Sequence, residues 1–133
     1  MPAFGTVSRR RLNTCHPDMV RLMEECIKVY DFSVIEGERD KETQNGYFDA
    51  TPQRTKVRWP NSKHNKTPSH AVDIVPWPSQ YEDEDKMFEL GQLVVRTANR
   101  LDIPIIWGAD WDMDGDYAEH NFKDLPHFEL AED

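Results

Sequence analysis

The sequence predicts a single α+β domain, with helices packed on a small antiparallel sheet. Three observations lead there. With 133 residues, a second core would leave each half near the lower size limit for folding alone. Two stretches, 16–30 and 83–101, place apolar residues at helical spacing. Four short apolar runs, at 32–36, 71–75, 103–107 and 127–130, read as strands that do not alternate strictly with helices, as a parallel α/β sheet would require.

In the first of these helices Val20, Met23, Ile27 and Tyr30 recur on one face, and Pro17 sits in the first turn, where its missing N–H is tolerated. Phe32 to Glu36 forms a short strand that Gly37 ends, and Lys41 to Phe48 follow as a short helix. Residues 49–70 are rich in Pro, Asn, Thr, Ser and Lys and read mainly as a loop, of a length that usually accompanies function or disorder. Ala71-Val72-Asp73-Ile74-Val75 has the pattern of a buried strand interrupted by one aspartate, closed by Pro76 and Pro78. The second long helix follows Glu82-Asp83-Glu84-Asp85-Lys86, acidic where the helix dipole favours acid, and turns Met87, Leu90, Val94, Ala98 and Leu101 inward.

Hydrophobic residues make up 38% of the chain, including four Trp, four Tyr and six Phe, enough apolar material for a compact core. A net charge of −9 opposes binding to nucleic acid or to an anionic membrane face, and Ser8-Arg9-Arg10-Arg11 reads as solvated surface. No run approaches the ~20 apolar residues of a membrane span and no apolar signal core opens the chain. The expected product is therefore soluble, begins near Met1 and is made in the cytoplasm. Cys15 and Cys26 belong to no C-x-x-C pair and read as reduced thiols, with Cys26 in the core.

Catalytic zinc commonly takes three protein ligands, imidazoles mixed with a carboxylate, and keeps a further position for solvent. Asp73 is the first clue, because an unpaired aspartate between Val72 and Ile74 is costly to bury and a cation removes that cost. Strand alternation turns His127 and Glu129 to one face and Phe128 and Leu130 to the other, so His127 can face a site while its neighbours fill the core. On these residues alone, a satisfied structural histidine and a buried salt-bridge aspartate are the commoner readings, and composition does not choose.

A wider set of motifs separates them. Ser62-Lys63-His64, then Ser69-His70-Ala71-Val72-Asp73, and later Asp124-Leu125-Pro126-His127-Phe128-Glu129-Leu130 occur in the order S-x-H, S-x-A-x-D, D-x-x-H. Gly37-Glu38-Arg39 with Gln44, and Trp107-Gly108-Ala109-Asp110-Trp111, accompany them. Together they resemble the D-alanyl-D-alanine carboxypeptidase and L-alanyl-D-glutamate peptidase family, over about residues 32–130, and its phage endolysins in particular. Two departures stand out. His64 and Asp73 are nine residues apart where seven is commonest, and Ser69 replaces the usual glycine. The extra residues fall in a loop, where added length has little entropic cost.

The resemblance implies the α+β fold shared with the Hedgehog signalling domain, and zinc held by His64, Asp73 and His127. It also implies a catalytic base at Asp124. His70 is the rival ligand to His64, but in a strand it points away from Asp73; His16 and His120 are weaker rivals. Asp124 stands at most roughly 10 Å from His127 along an extended chain, so a turn stiffened by Pro126 can bring its carboxylate to the reacting water. Arg39 corresponds to the family arginine that binds substrate or stabilises the oxyanion, with an exposed salt-bridge arginine as the plainer reading. Gln44 is a candidate substrate contact or a plain helix-surface glutamine, and Ser62 and Glu129 are candidate partners of the histidine ligands.

Asp110, Asp112, Asp114 and Asp116 alternate around Gly115 like the first half of a calcium loop, but Asn121 stands at the twelfth position in place of glutamate. Calcium is thus a second candidate cofactor, against a plain acidic turn. The expected activity is hydrolysis of the L-alanyl-D-glutamate bond of peptidoglycan stem peptides during host lysis. The expected form is a monomeric single domain over residues 1–133 without a wall-binding module, reaching the wall from the host cytoplasm through a holin-opened membrane. A D-alanyl-D-alanine carboxypeptidase or dipeptidase is the alternative enzyme, and a non-catalytic zinc-binding module is an alternative of another class.

Overall fold

A computed structural model describes residues 2–78, 83–108 and 125–131. In chain order the elements are α1 (Thr6–Leu12), α2 (Pro17–Ile27), β1 (Phe32–Glu36), α3 (Lys41–Asp49), a 3-10 turn (Lys63–Asn65), β2 (Ala71–Pro76), α4 (Glu84–Leu101), β3 (Ile105–Trp107) and β4 (His127–Leu130). The strands form one sheet in the order β1-β2-β4-β3, with each neighbouring pair antiparallel. The predicted α+β class therefore holds, and so do the four strands.

The core lies between one face of the sheet and the two long helices. Val34, Val72, Ile74 and Phe128 from the strands meet Met19, Leu22, Met23 and Cys26 of α2 and Leu90, Val94 and Ala98 of α4. Because successive strand residues point to opposite faces, the same strands turn Asp73, His127 and Glu129 to the other side, and a register shift after Val34 brings Glu36 there as well. Trp107 packs closely on α4 because Gly91 lies beneath it: a Cβ there would stand 2.0 Å from the indole. Its ring stacks on Phe128, and its Nε1 donates to the Leu125 carbonyl at 2.9 Å. The tryptophan of the W-G-x-D-W motif thereby ties down the chain that leads into β4.

Helix α1 is an addition to the elements expected from sequence. Only its Leu12 is buried, so two turns of helix leave no apolar periodicity to read. Its basic last turn suits the negative end of the helix dipole. It also covers an exposed sheet edge. The Ser8 hydroxyl accepts from the Val34 amide at 3.0 Å, and Arg11 donates to the Val34 carbonyl at 3.1 Å. The groups that an edge strand otherwise offers to other chains are thus engaged. Arg11 consequently does more than solvate a surface.

Two boundaries differ from expectation. Helix α2 stops at Ile27 rather than near Tyr30, and Tyr30 closes the final turn through its amide to the Cys26 carbonyl, at 3.1 Å. Strand β3 starts at Ile105 rather than Ile103, since Asp102 in the left-handed region ends α4 and Pro104 has no N–H for a ladder. Among the described residues no helix is long and apolar enough to cross a membrane.

Cys15 and Cys26 are both buried and unbridged, and burial pushes each thiol up to about 11. Both are then neutral at pH 8 and poor nucleophiles. Native protein is expected to react slowly with a colorimetric disulfide reagent at that pH and to release two equivalents rapidly in guanidinium. Fast reaction of both thiols in the native state would contradict this packing.

Candidate metal centre

The centre is assembled from three places in the chain. His64 comes from the 3-10 turn, which is stapled at its start: the Ser62 hydroxyl accepts from the His64 amide, and the Asn65 side chain accepts from the Ser62 amide. Asn65 also donates to the Arg39 carbonyl at 2.9 Å, while the Arg39 amide donates to the His64 carbonyl at 2.8 Å. A turn inside a long loop is thus fixed to the segment after β1. Ser62 supports the backbone of His64 rather than its ring.

Asp73 and His127 are direct partners across the β2–β4 ladder. On the other side of β2, the register shifts between Val34 and Glu36, so that Glu36 rather than Ile35 stands opposite Asp73. Such a bulge sets two residues against one and re-aims a side chain. A polar row, Glu36–Asp73–His127, therefore runs across three strands.

Within this frame the side chains converge. His127 Nδ1 lies 3.1 Å and His64 Nε2 3.3 Å from Asp73 Oδ1, and the two imidazole rings are 5.2 Å apart. The three candidate ligand atoms all lie within 4.8 Å of one another, compatible with bonds of ~2.0–2.2 Å to a shared ion. Among the described residues this is the group that could hold a metal, and it includes neither His70 nor His16, whose rings instead meet each other at 5.3 Å.

The hydrogen bonds around the rings favour a cation. His64 Nδ1 is 2.7 Å from the Gly37 carbonyl, which can only accept, so the ring proton sits there and Nε2 carries the lone pair. That nitrogen is buried and has no hydrogen-bond partner among the described residues. An orphaned buried acceptor is expensive, and a metal relieves it. Gly37 can approach this closely only as glycine, since a Cβ would lie 2.3 Å from Thr14 Oγ1 and 2.4 Å from the Arg11 carbonyl. His127 Nε2 lies 2.8 Å from Glu129 Oε1, a carboxylate that orients the ring and leaves Nδ1 toward Asp73. Burial works against ionising Asp73, yet the positive charge that His64 and then His127 supply when protonated on the side facing it prevails and holds its carboxyl well below the usual carboxylate range.

Arg39 is buried rather than exposed. Its Nε and Nη2 both donate to Glu36 at 2.9 Å, Nη1 donates to Gln44 at 2.8 Å, and Nη2 lies 3.7 Å from Asp73. Gln44 is fully buried, which replaces the helix-surface reading. Its oxygen accepts from Arg39 and Asn65, and its nitrogen donates to Thr55 and the Val57 carbonyl. All its polar capacity is thus used within the protein, and its influence on the site runs through Arg39. Glu36 was not distinguishable from any strand-end glutamate in the sequence, although its i,i+3 spacing to Arg39 was visible.

The phage L-alanyl-D-glutamate peptidase family matches residues 2–131. The chain belongs to this family. It is 24% identical over 123 residues to the L-alanyl-D-glutamate peptidase of Escherichia phage T5, covering 87% of this chain and 86% of that protein. The crystal structure of the Serratia marcescens L-Ala D-Glu endopeptidase ChiX superposes with a TM-score of 0.73 at 30% identity, covering 96% of this chain and 89% of that one.

Ser69, which takes the place of the usual glycine, lies two residues ahead of β2. Ser69 is buried, and its hydroxyl accepts from the Ala71 amide and donates to the Ala71 carbonyl, so its added polarity is internally satisfied. A cleft of about 1040 Å³ is lined by Arg39, His64, Asp73, His127 and Glu129 among others; Gln44 does not line it. Asp124, and the calcium candidates Asp110, Asp112, Asp114 and Asp116, lie outside the described residues, as does His120.

Proposed function

We propose that this phage-family peptidase is a zinc-dependent endopeptidase that hydrolyses the L-alanyl-D-glutamate bond of peptidoglycan stem peptides. The observation carrying this reading is the convergence of His64 Nε2, Asp73 and His127 Nδ1 in one cleft, with the first of these nitrogens lacking a hydrogen bond among the described residues. A zinc ion there would supply Lewis acidity, polarising the scissile carbonyl and acidifying water near neutral pH.

The chain's own residues supply the rest. The proton of the attacking water goes to the Asp124 carboxylate, which then returns it to the departing amine. Two bonds anchor the segment that follows it. The Leu125 carbonyl is held by Trp107, and the Pro126 carbonyl accepts from the Ile74 amide at 3.0 Å, so the backbone is pinned within one and two residues of Asp124. Arg39, clamped by Glu36 and Gln44 beside Asp73, offers a fixed positive charge to the substrate carbonyl, and Glu129 keeps the His127 ring in register.

Host lysis, by a monomer that waits in the cytoplasm and reaches the wall through a holin, completes the proposal. The bond cleaved is read directly from digested peptidoglycan by mass spectrometry. New stems beginning at D-glutamate are the expected product. Release of terminal D-alanine alone would instead identify a carboxypeptidase.

A further inference from the structure

Between Asp49 and Asp73 the chain carries Arg54, Lys56, Arg58, Lys63 and Lys66 and no aspartate or glutamate, in a protein whose net charge is −9. Arg58 is neutralised by Asp49 at 2.6 Å, and Arg54 lines the same cleft as the metal-binding group. A cation on that wall opposes the charge of the protein and attracts anions.

Arg54 is the best-defined of these cations. Its guanidinium stacks on the Tyr47 ring at 4.2 Å, and the same ring receives the buried Arg39 guanidinium at 4.9 Å. Arg39 is balanced by Glu36, whereas Arg54 has no ion-pair partner among the described residues. Stacking restrains the side chain in advance, and a planar guanidinium matches a carboxylate in two-pronged fashion. A single tyrosine therefore links the residue beside Asp73 to an outer cation in the cleft.

We propose that Arg54, seated on Tyr47, docks a carboxylate of the stem peptide on the leaving side of the scissile bond. The inference rests on the peptidase reading above. On the L-alanine side the stem is joined to the glycan through an amide and has no carboxylate. On the other side, glutamate linked through its γ-carboxyl keeps a free α-carboxylate, and the diamino acid that follows it can carry another. Both present the same chemistry to a guanidinium.

Three disaccharide-tetrapeptides separate the possibilities: one with both carboxylates free, one amidated at the glutamate α-carboxyl and one amidated at the third residue. Wild type is expected to cleave the free form with kcat/KM about tenfold to a hundredfold above one of the amides, the range for a charge-assisted hydrogen bond. Arg54→Ala should bring that ratio close to one, mainly through KM, and Arg54→Lys should restore part of it. Equal cleavage of all three substrates by wild type, or a ratio that persists in Arg54→Ala, would overturn the proposal while leaving the peptidase reading intact. If wild type cleaves none of them, the peptidase reading falls and this inference falls with it.

Discussion

Replacing His64 with alanine is expected to remove bound divalent metal and to lower stem-peptide cleavage by at least about a thousandfold, since a catalytic ion contributes several kcal/mol to the barrier. The reasoning starts from one nitrogen. The Gly37 carbonyl fixes the proton on Nδ1, so Nε2 enters the group as a ready lone pair next to Asp73. Alanine removes that donor and leaves two ligands. Among the described residues, His127 and the more distant Arg39 then remain beside the buried Asp73 carboxylate. Elemental analysis of the purified variant should find metal well below one equivalent. A chelator should reproduce the loss in wild type and lower its Tm, because an ion bound only by the folded state stabilises it by mass action. Full activity in metal-free protein would exclude the centre described here.

Asp124→Ala is expected to separate chemistry from metal binding, lowering the rate by roughly 10²- to 10⁴-fold, the usual contribution of a positioned general base. Zinc content should stay at one equivalent, because His64, Asp73 and His127 are untouched. The two variants thus make a contrast: both are inactive, and only one has lost its metal. Normal cleavage by Asp124→Ala would remove the base assignment and return attention to Glu129, whose carboxylate lies against the His127 ring.

Several of these features were legible in the sequence because they follow from local periodicity. Asp73 stood out against its apolar neighbours, and simple alternation placed His127 and Glu129 opposite Phe128 and Leu130. Other features depend on contacts between distant segments and leave no local pattern. The Gly91–Trp107 approach belongs to that class. So does the burial of Gln44, whose four hydrogen bonds reach residues up to 21 positions away. Helix α1 escaped for a different reason: its role is to satisfy the edge of β1 with Ser8 and Arg11, and polar capping has no apolar signature.

The irregularity in β1 decides which of its residues meets the centre. A regular ladder would carry Ile35, not Glu36, opposite Asp73. If this short strand paired without that shift, the carboxylate that grips Arg39 would give way to a hydrocarbon, with every element still in place. The outer loop carries a nine-residue interval from His64 to Asp73, whereas along this edge a slip of a single residue changes what meets the aspartate.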